Sequence, residues 1–409
     1  MNHASTISKP TPDRRDHSTA DATPWVKRIA CISTTRADAG IYRALLSELS
    51  AANQFDVSLL AGGTHHSADY GNTAEHLEAI NGVRTIAVHH QSEGDGPAQV
   101  SETAGHAMTA FSQALSNQPA DLVFVLGDRT EMLAAALAAT IHRIPLAHLH
   151  GGDLTQGAYD DACRHAITKL AHVHFPALPG HAERIRQMGE EPWRIHTVGS
   201  LALDSLARFK PEPGNSLRAL TGVDFSKPTA VVVYHPETLS DISPARQIDQ
   251  LLDALKSLPM NLLFIGPNAD VSRDAIDSAI ARFVETRPDS TIVKSLGQEQ
   301  FWSCLAHARV LVGNSSSGII EAASLRLPVV NVGERQRGRL SPGNGMHARI
   351  GRDEIRTGGE RAAAPTFRES LDDLVNPYGD GRTAARIVEA IRALPPQSKL
   401  LKKEWAPAT

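Results

Sequence analysis

Twice along this chain short apolar runs alternate with glycine-rich or polar loops and helical periodicity, and that alternation leaves few folds open to it. Residues 28–33, 56–61, 85–89, 121–126, 144–149, 174–176 and 195–198 read as strands of the first half, and 230–234, 262–265, 291–293, 310–312 and 328–332 as strands of the second. Most are continuous apolar runs, not alternating ones, which is the mark of strands buried on both faces of a parallel sheet with helical crossovers. Between the halves, residues 210–227 shift to Pro, Gly, Ser and Asn and read as a linker. The expected fold is therefore α/β, with two doubly wound, Rossmann-like domains (27–209 and 228–382) and a cleft between their carboxyl-end loops. Residues 342–365 have weak periodicity and receive no element. Residues 384–394 form an amphipathic helix, and 396–409 read as a loose tail. Residues 1–26 are polar and proline-interrupted and read as a disordered extension.

Composition matters here for what it excludes. A net charge of −4 argues against binding nucleic acid through bulk electrostatics. No apolar run reaches the length of about 18 residues that a membrane span needs, so neither nucleic acid nor membrane is an expected partner. Cys31, Cys163 and Cys304 are scattered without metal or disulfide spacing, which fits a reducing cytoplasm.

Chemistry concentrates in residues 148–169, HLHGGDLTQGAYDDACRHAITK. His148, His150, Asp153, Asp160, Asp161, Arg164, His165 and Lys169 fall within one strand–loop–helix unit. The strand runs out at Gly151-Gly152, where the backbone can turn sharply and a ligand can approach. A helix is expected from near Ala158, with Asp160 and Asp161 in its first turn, where the dipole favours negative charge. The spacing puts Asp161, His165 and Thr168 on one face and lets Ala162, Ala166, Ile167 and Leu170 pack inward. His148, His150 and Asp153 have the spacing of a metal site. No cysteine supports it and the chain has another way to hold phosphate, so no metal is expected.

That other way is residues 310–333, VLVGNSSSGIIEAASLRLPVVNVG. Asn314, Ser315, Ser316, Ser317 and Gly318 lie between a strand and a helix, where backbone N–H groups and hydroxyls can hold a diphosphate. Glu321 is placed to accept from ribose hydroxyls. The following GERQRGR adds three arginines, Arg337 among them. Arg36, after the first strand, suits bidentate phosphate contact, while Asp38 reads as a helix cap. Asp128 ends another strand and is as readable as a cap as a catalytic acid. His235 opens the second domain's first loop, as a phosphate or sugar contact or as a structural hydrogen-bonder.

Taken together, TRADAG, GGTHHSADYGNT, GDRTE, residues 148–175, QMGEEPWRIHTVGS, HPET, GPNAD, GNSSSGIIEA, PVVNVGERQRGR and NPYGDG resemble, in order, the hydrolysing UDP-N-acetylglucosamine 2-epimerases of sialic-acid biosynthesis and their bacterial relatives. The resemblance covers most of residues 27–394. It implies a GT-B-like fold, and catalysis without metal or nicotinamide cofactor. The chemistry it implies is loss of the C2 proton, expulsion of UDP and hydration of the resulting glycal to the free 2-epimer, N-acetylmannosamine or an analogue. It assigns Asp128, Asp153 and Asp161, with His150 and Arg164, to the catalytic side. To the UDP-sugar it assigns Arg36, His65, His235, Asn268, Asn314, Ser315, Ser316, Ser317, Gly318, Glu321 and Arg337. Three carboxylates facing one sugar should raise the pKa of at least one. The resemblance also implies that the 383–395 helix crosses back to the first domain. A homodimer or tetramer is expected. The chain departs from the family at Ala39, where a tyrosine is usual, at Asp153, where many members carry glutamate, at residues 65–70, and in SPGNGMHARIGRDE (341–354). Relatives acting on 2,4-diacetamido-trideoxy sugars share the scaffold, so the sugar stays open between these two kinds.

Overall fold

Two six-stranded sheets carry the chain, in the orders β3-β2-β1-β4-β5-β6 and β12-β11-β10-β7-β8-β9. The computed structural model describes residues 25–66, 80–90, 94, 96–266, 273–294 and 296–407. The first sheet comprises β1 (Arg28–Ser33), β2 (Asp56–Gly62), β3 (Val83–Val88), β4 (Leu122–Leu126), β5 (Leu146–Leu149) and β6 (Val173–Phe175). The second comprises β7 (Thr229–Val233), β8 (Asn261–Ile265), β9 (Ser290–Val293), β10 (Val310–Gly313), β11 (Val329–Val332) and β12 (Gly345–Ala348). Every pairing is parallel. Strand order reverses between β1 and β4 and again between β7 and β10. The crevice of an open parallel sheet lies at such a switch point, and each domain presents one to the other.

Four expectations are corrected. Residues 342–365 are not structureless: β12 pairs with β11 from Val329↔Gly345 to Val332↔Ala348, and the helix Arg352–Ala362 follows. The strand hides in sequence because GMHA, on a sheet edge, lacks β-branched residues. The helix hides because Gly358 and Gly359 read as breakers, although they sit against Val330 and Leu258. The 210–227 segment carries the helix Gly214–Thr221, with Leu217 and Val223 buried in a cluster with Val231 and Leu311. Residues 195–198 form no strand, only a single bridge from Ile195 to His174. The helix after β5 starts at Asp160 and buries Arg164, Ile167 and Thr168, leaving Ala162 exposed.

The tail beyond residue 396 is docked, not loose. After the short helix Gln397–Leu400, Arg194 donates to the carbonyls of Leu400 (2.8 Å) and Lys402 (2.7 Å). Lys403 reaches Glu190 at 2.7 Å, beside Lys169 at 2.5 Å and His174 at 3.1 Å. Glu190 is fully buried. Burial pushes its pKa up, but the hydrogen bonds from His174, Lys169 and Lys403 outweigh this and hold it at about 2 instead of 4.5. A carboxylate so depressed adds stability that is complete above its unfolded pKa and is lost as pH falls through the folded one. Glu190→Gln should destabilise the protein by about 3 kcal/mol, because two lysines lose their buried counter-charge. Its chemical-denaturation stability should also fall less than wild type's between pH 4.5 and about pH 2. Parallel acid profiles would remove Glu190 as the hub of the docked tail.

The helix Thr383–Arg392 packs on the helix Arg36–Ala51, burying Ala384, Ile387, Val388 and Ile391 in one cluster with β1 and β2 residues. Its first N–H groups are capped by Asp204, whose carboxylate accepts from Thr383 N (2.9 Å) and Ala384 N (2.6 Å). Among the described residues, no helix is long and apolar enough to cross a membrane.

Candidate active site

Between the two switch points lies a cavity of about 280 Å³, lined from both sheets. The first domain contributes Asp128 after β4, His150 and Asp153 after β5, and Asp160 and Arg164 from the next helix. The second contributes His235, Ser315, Ser316, Ser317, Glu321, Arg335 and Arg339.

Asp128 and Arg164 form an ion pair, and Arg164 also donates to Thr155 Oγ1 at 3.0 Å. Burial works against the Arg164 cation, but the carboxylates around it, Asp128 foremost, hold it charged. Its Nε and Nη1 are buried without a partner among the described residues.

His150 sits where β5 gives out, at φ +60°, a left-handed backbone uncommon for a residue with a Cβ. Burial, with His181, Arg164 and Arg339 nearby, outweighs the pull of Asp153 and lowers its pKa to about 4. It is therefore a neutral imidazole at neutral pH, and its Nε2 is buried without a partner among the described residues. His148 is spent differently. Its Nδ1 meets Thr168 Oγ1 at 3.1 Å and its Nε2 meets the Gly127 carbonyl at 2.9 Å, tying β5 to β4 and to the helix. With both ring nitrogens engaged it cannot serve the H-x-H metal reading.

Asp153 is not a free acid. It lies 3.1 Å from Arg339 Nη2 and 3.2 Å from His181 Nε2. Burial would raise its pKa, but Arg339, His181 and Arg164 outweigh burial and hold the carboxyl well below the usual range. At Asp153 the expected rise from crowded carboxylates does not occur, because arginines face it. The acids that burial raises are Asp38 in the first domain and Glu321 and Glu237 in the second. Asp161 takes no place on the cavity wall. Its Oδ1 accepts from Thr155 N at 2.7 Å and pins the loop, while Asp160 takes the wall. Gly152, at φ +74°, is packed under His181 with no room for a side chain.

On the other side, Asn314 is fully buried and clasps the His235 backbone, accepting from its N–H at 2.7 Å and donating to its carbonyl at 2.9 Å. It joins the ends of β7 and β10, holding the wall from behind, and Gly318 lies against Val329 and Leu311. The helix Ser317–Ile320 is one turn long, and the N–H groups of residues 317–321 are engaged within the turn. The hydroxyls of Ser315, Ser316 and Ser317 line the cavity, so within this loop the hydroxyls rather than the N–H groups of 317–321 face it. Glu321 accepts from Trp302 Nε1 at 2.8 Å.

Four more expected residues stand off the cavity wall or have side chains outside what is described. Arg337 points to solvent, paired with Glu334 at 3.1 Å, and Arg335 and Arg339 turn inward in its place. His65 is buried off the wall, its Nε2 2.8 Å from Ser33 Oγ. Asn268 lies outside the described residues, as does the side chain of Arg36, which begins its helix. Asp38 caps that helix in a reciprocal box, accepting from Thr34 N and Thr35 N at 2.9 Å each. Sequence reasoning did not single out His181, Trp302 or Phe301. Nothing marks them except positions on amphipathic helices facing the cleft.

Twin parallel sheets with facing switch points define the GT-B-like fold, here with acids and a neutral histidine opposite a serine loop. The UDP-N-acetylglucosamine 2-epimerase family model matches residues 47–392, and the chain belongs to that family. It is 34% identical over 383 residues to the UDP-N,N'-diacetylbacillosamine 2-epimerase (hydrolyzing) of Legionella pneumophila, covering 92% of this chain and 99% of that one. It is 31% identical to the UDP-N-acetylglucosamine 2-epimerase of Neisseria meningitidis, over 77% of this chain and 81% of the relative. In shape it matches a UDP-GlcNAc 2-epimerase from Neisseria meningitidis, solved bound to UDP-GlcNAc, with a TM-score of 0.77 at 16% identity, over 89% of this chain and 99% of that one.

Proposed function

We propose that this protein is a hydrolysing 2-epimerase, converting a UDP-linked 2-acetamido sugar and water to the free 2-epimer and UDP. The observation that carries the reading is His150: a neutral imidazole with an unspent Nε2, beside the Asp128–Arg164 pair and across the cleft from the serine loop. A base removes the C2 proton, its electron pair becomes the C1–C2 double bond, and the C1–O bond breaks to release UDP. Water then returns hydroxide to C1 and a proton to C2 from the other face. His150 takes the first proton, and the fixed negative charge of Asp153 stabilises the imidazolium so formed. Asp128, oriented by Arg164, is the second proton-handling group. Arg335 and the serine hydroxyls take the charge that develops on the diphosphate.

The relative that is 34% identical across 99% of its length favours a 2,4-diacetamido-trideoxy sugar over N-acetylglucosamine as the second reading of the substrate. One experiment tests both: each UDP-sugar is incubated with the protein in heavy water and followed by NMR. UDP release with water alone and deuterium at C2 of the product are expected. Release that requires an added sugar acceptor would make it a glycosyltransferase, and product without C2 deuterium would end the elimination mechanism. Ser316→Ala with Ser317→Ala should weaken UDP binding by about 1–3 kcal/mol, the cost of losing charge-assisted hydrogen bonds. Unchanged UDP affinity in calorimetry would move the diphosphate elsewhere.

A further inference from the structure

The side chain of Arg339 crosses from the second domain into the first, where its Nε and Nη2 are spent while its Nη1 is buried without a partner among the described residues. Its Nε donates to the Leu154 carbonyl at 2.7 Å, and its Nη2 reaches Thr155 Oγ1 at 3.2 Å and Asp153 at 3.1 Å. Its side chain is only 6% exposed. The same loop is stitched to the second domain twice more, by Leu239 N to the Gly157 carbonyl (3.3 Å) and Tyr159 N to Thr238 Oγ1 (3.3 Å). Gly157 lies so close to the Arg335 backbone that an added Cβ would stand 2.8 Å from its Cα. Behind Arg339, the turn that carries it leads to the nucleotide loop, because Gln336 and Arg335 both donate to the Asn314 carbonyl, at 2.7 and 3.3 Å. An unbroken line of contacts therefore joins the serine loop to Asp153.

Resting on the epimerase reading above, we propose that Arg339 is a positioning residue. By clasping Asp153 and residues 153–155 it makes the proton-handling side of the cleft competent only when the two domains are closed on each other. A surface ion pair would not do this, but a buried guanidinium with three partners on one loop leaves that loop only one seat. Asp153 is faced by Arg339, Arg164, His181, His150 and Tyr378. Withdrawing Arg339 removes one cation that keeps Asp153 ionised and His150 neutral, so both groups would then titrate at higher pH.

The test uses the full chain with Arg339→Gln and the conservative Arg339→Lys. Arg339→Gln should lower kcat by about 100-fold, the scale of a catalytic group displaced by roughly an ångström. UDP affinity should be retained, and the acid limb of the pH–rate profile should move to higher pH. Added guanidinium should restore part of the rate, and Arg339→Gln should cost little more in an Asp153→Asn background. Independently of any turnover, amide exchange in residues 153–159 should quicken in the variant with UDP bound. Unchanged exchange there overturns the clasp whatever the substrate proves to be, and an unmoved acid limb or lost UDP affinity overturns it in an active enzyme. Should Arg339→Gln fail to fold, Arg339→Lys carries the same readouts, with a smaller loss of kcat expected and wild-type loop exchange overturning the proposal. If wild type releases no UDP from either sugar while the exchange result holds, the epimerase reading fails and the clasp stands.

Discussion

His150→Asn is expected to reduce turnover by about two to four orders of magnitude, the span that general acid–base catalysis supplies. Asparagine is the substitution of choice because the site demands φ +60°, a backbone region that asparagine tolerates better than most residues. It keeps a hydrogen-bonding side chain in place and removes only the proton chemistry. UDP affinity should survive, since the serine loop proposed to hold the diphosphate belongs to the second domain. In wild type the free-enzyme rate should fall on the acid side near pH 4, where burial has placed the imidazole, and stay flat through neutrality on that limb. Rates near wild type in His150→Asn would remove it as the base, and an acid limb near pH 6.5 would show that the buried, neutral state is not the working one.

Asp128→Asn should be nearly as severe, again about two to four orders of magnitude in turnover. Here the reason has two parts. The carboxylate is lost from the cavity wall, and Arg164, with a side chain only 4% exposed, keeps its charge without its ion-pair partner. Asp161→Asn provides the contrast, since that side chain sits off the cavity wall, holding Thr155 N and lying 3.6 Å from His165 Nε2. Its expected loss is about tenfold, from a loosened loop. Equal losses at both positions, measured by UDP release, would return Asp161 to the reacting centre and undo the distinction between wall and prop.

The fold was legible because its signal is repeated: a run such as DLVFVL or VLVG, buried on both faces, has few other uses, and most of the twelve strands announce themselves this way, while β3 and β9 are only partly buried. The strand missed, GMHA, is an edge strand that takes its place by pairing with β11, and a pairing partner leaves no trace in a local window. In the candidate site, the crowding of ionisable groups at residues 148–169 pointed to a loop that lines the cavity. Which atoms face the cavity depends on contacts more distant in sequence. Asp153 looks like a free acid until Arg339, far along the chain, is laid against it. Arg337 and Arg335 look alike until the turn at residues 334–339 sends one outward and the other in. Asn314 reads as part of a phosphate loop until β7 is brought beside β10 and its side chain closes on His235. His150 was visible as a histidine. Its neutral, unpartnered state is a property of burial, which no spacing encodes.

The helix Thr383–Arg392 has a consequence for how the protein is made. Ile387, Val388 and Ile391 complete a core begun by β1 and β2, and Leu400 joins them. Synthesis from the N-terminus therefore lays down the first sheet early and withholds the last side of its core until the whole second domain has emerged. The second domain has its main core within residues 230–362 and can close while the first still waits, holding an apolar face open. The half that carries His150 and Asp128 is thus begun first and finished last, and in a nascent chain it is the half that a chaperone would need to shield.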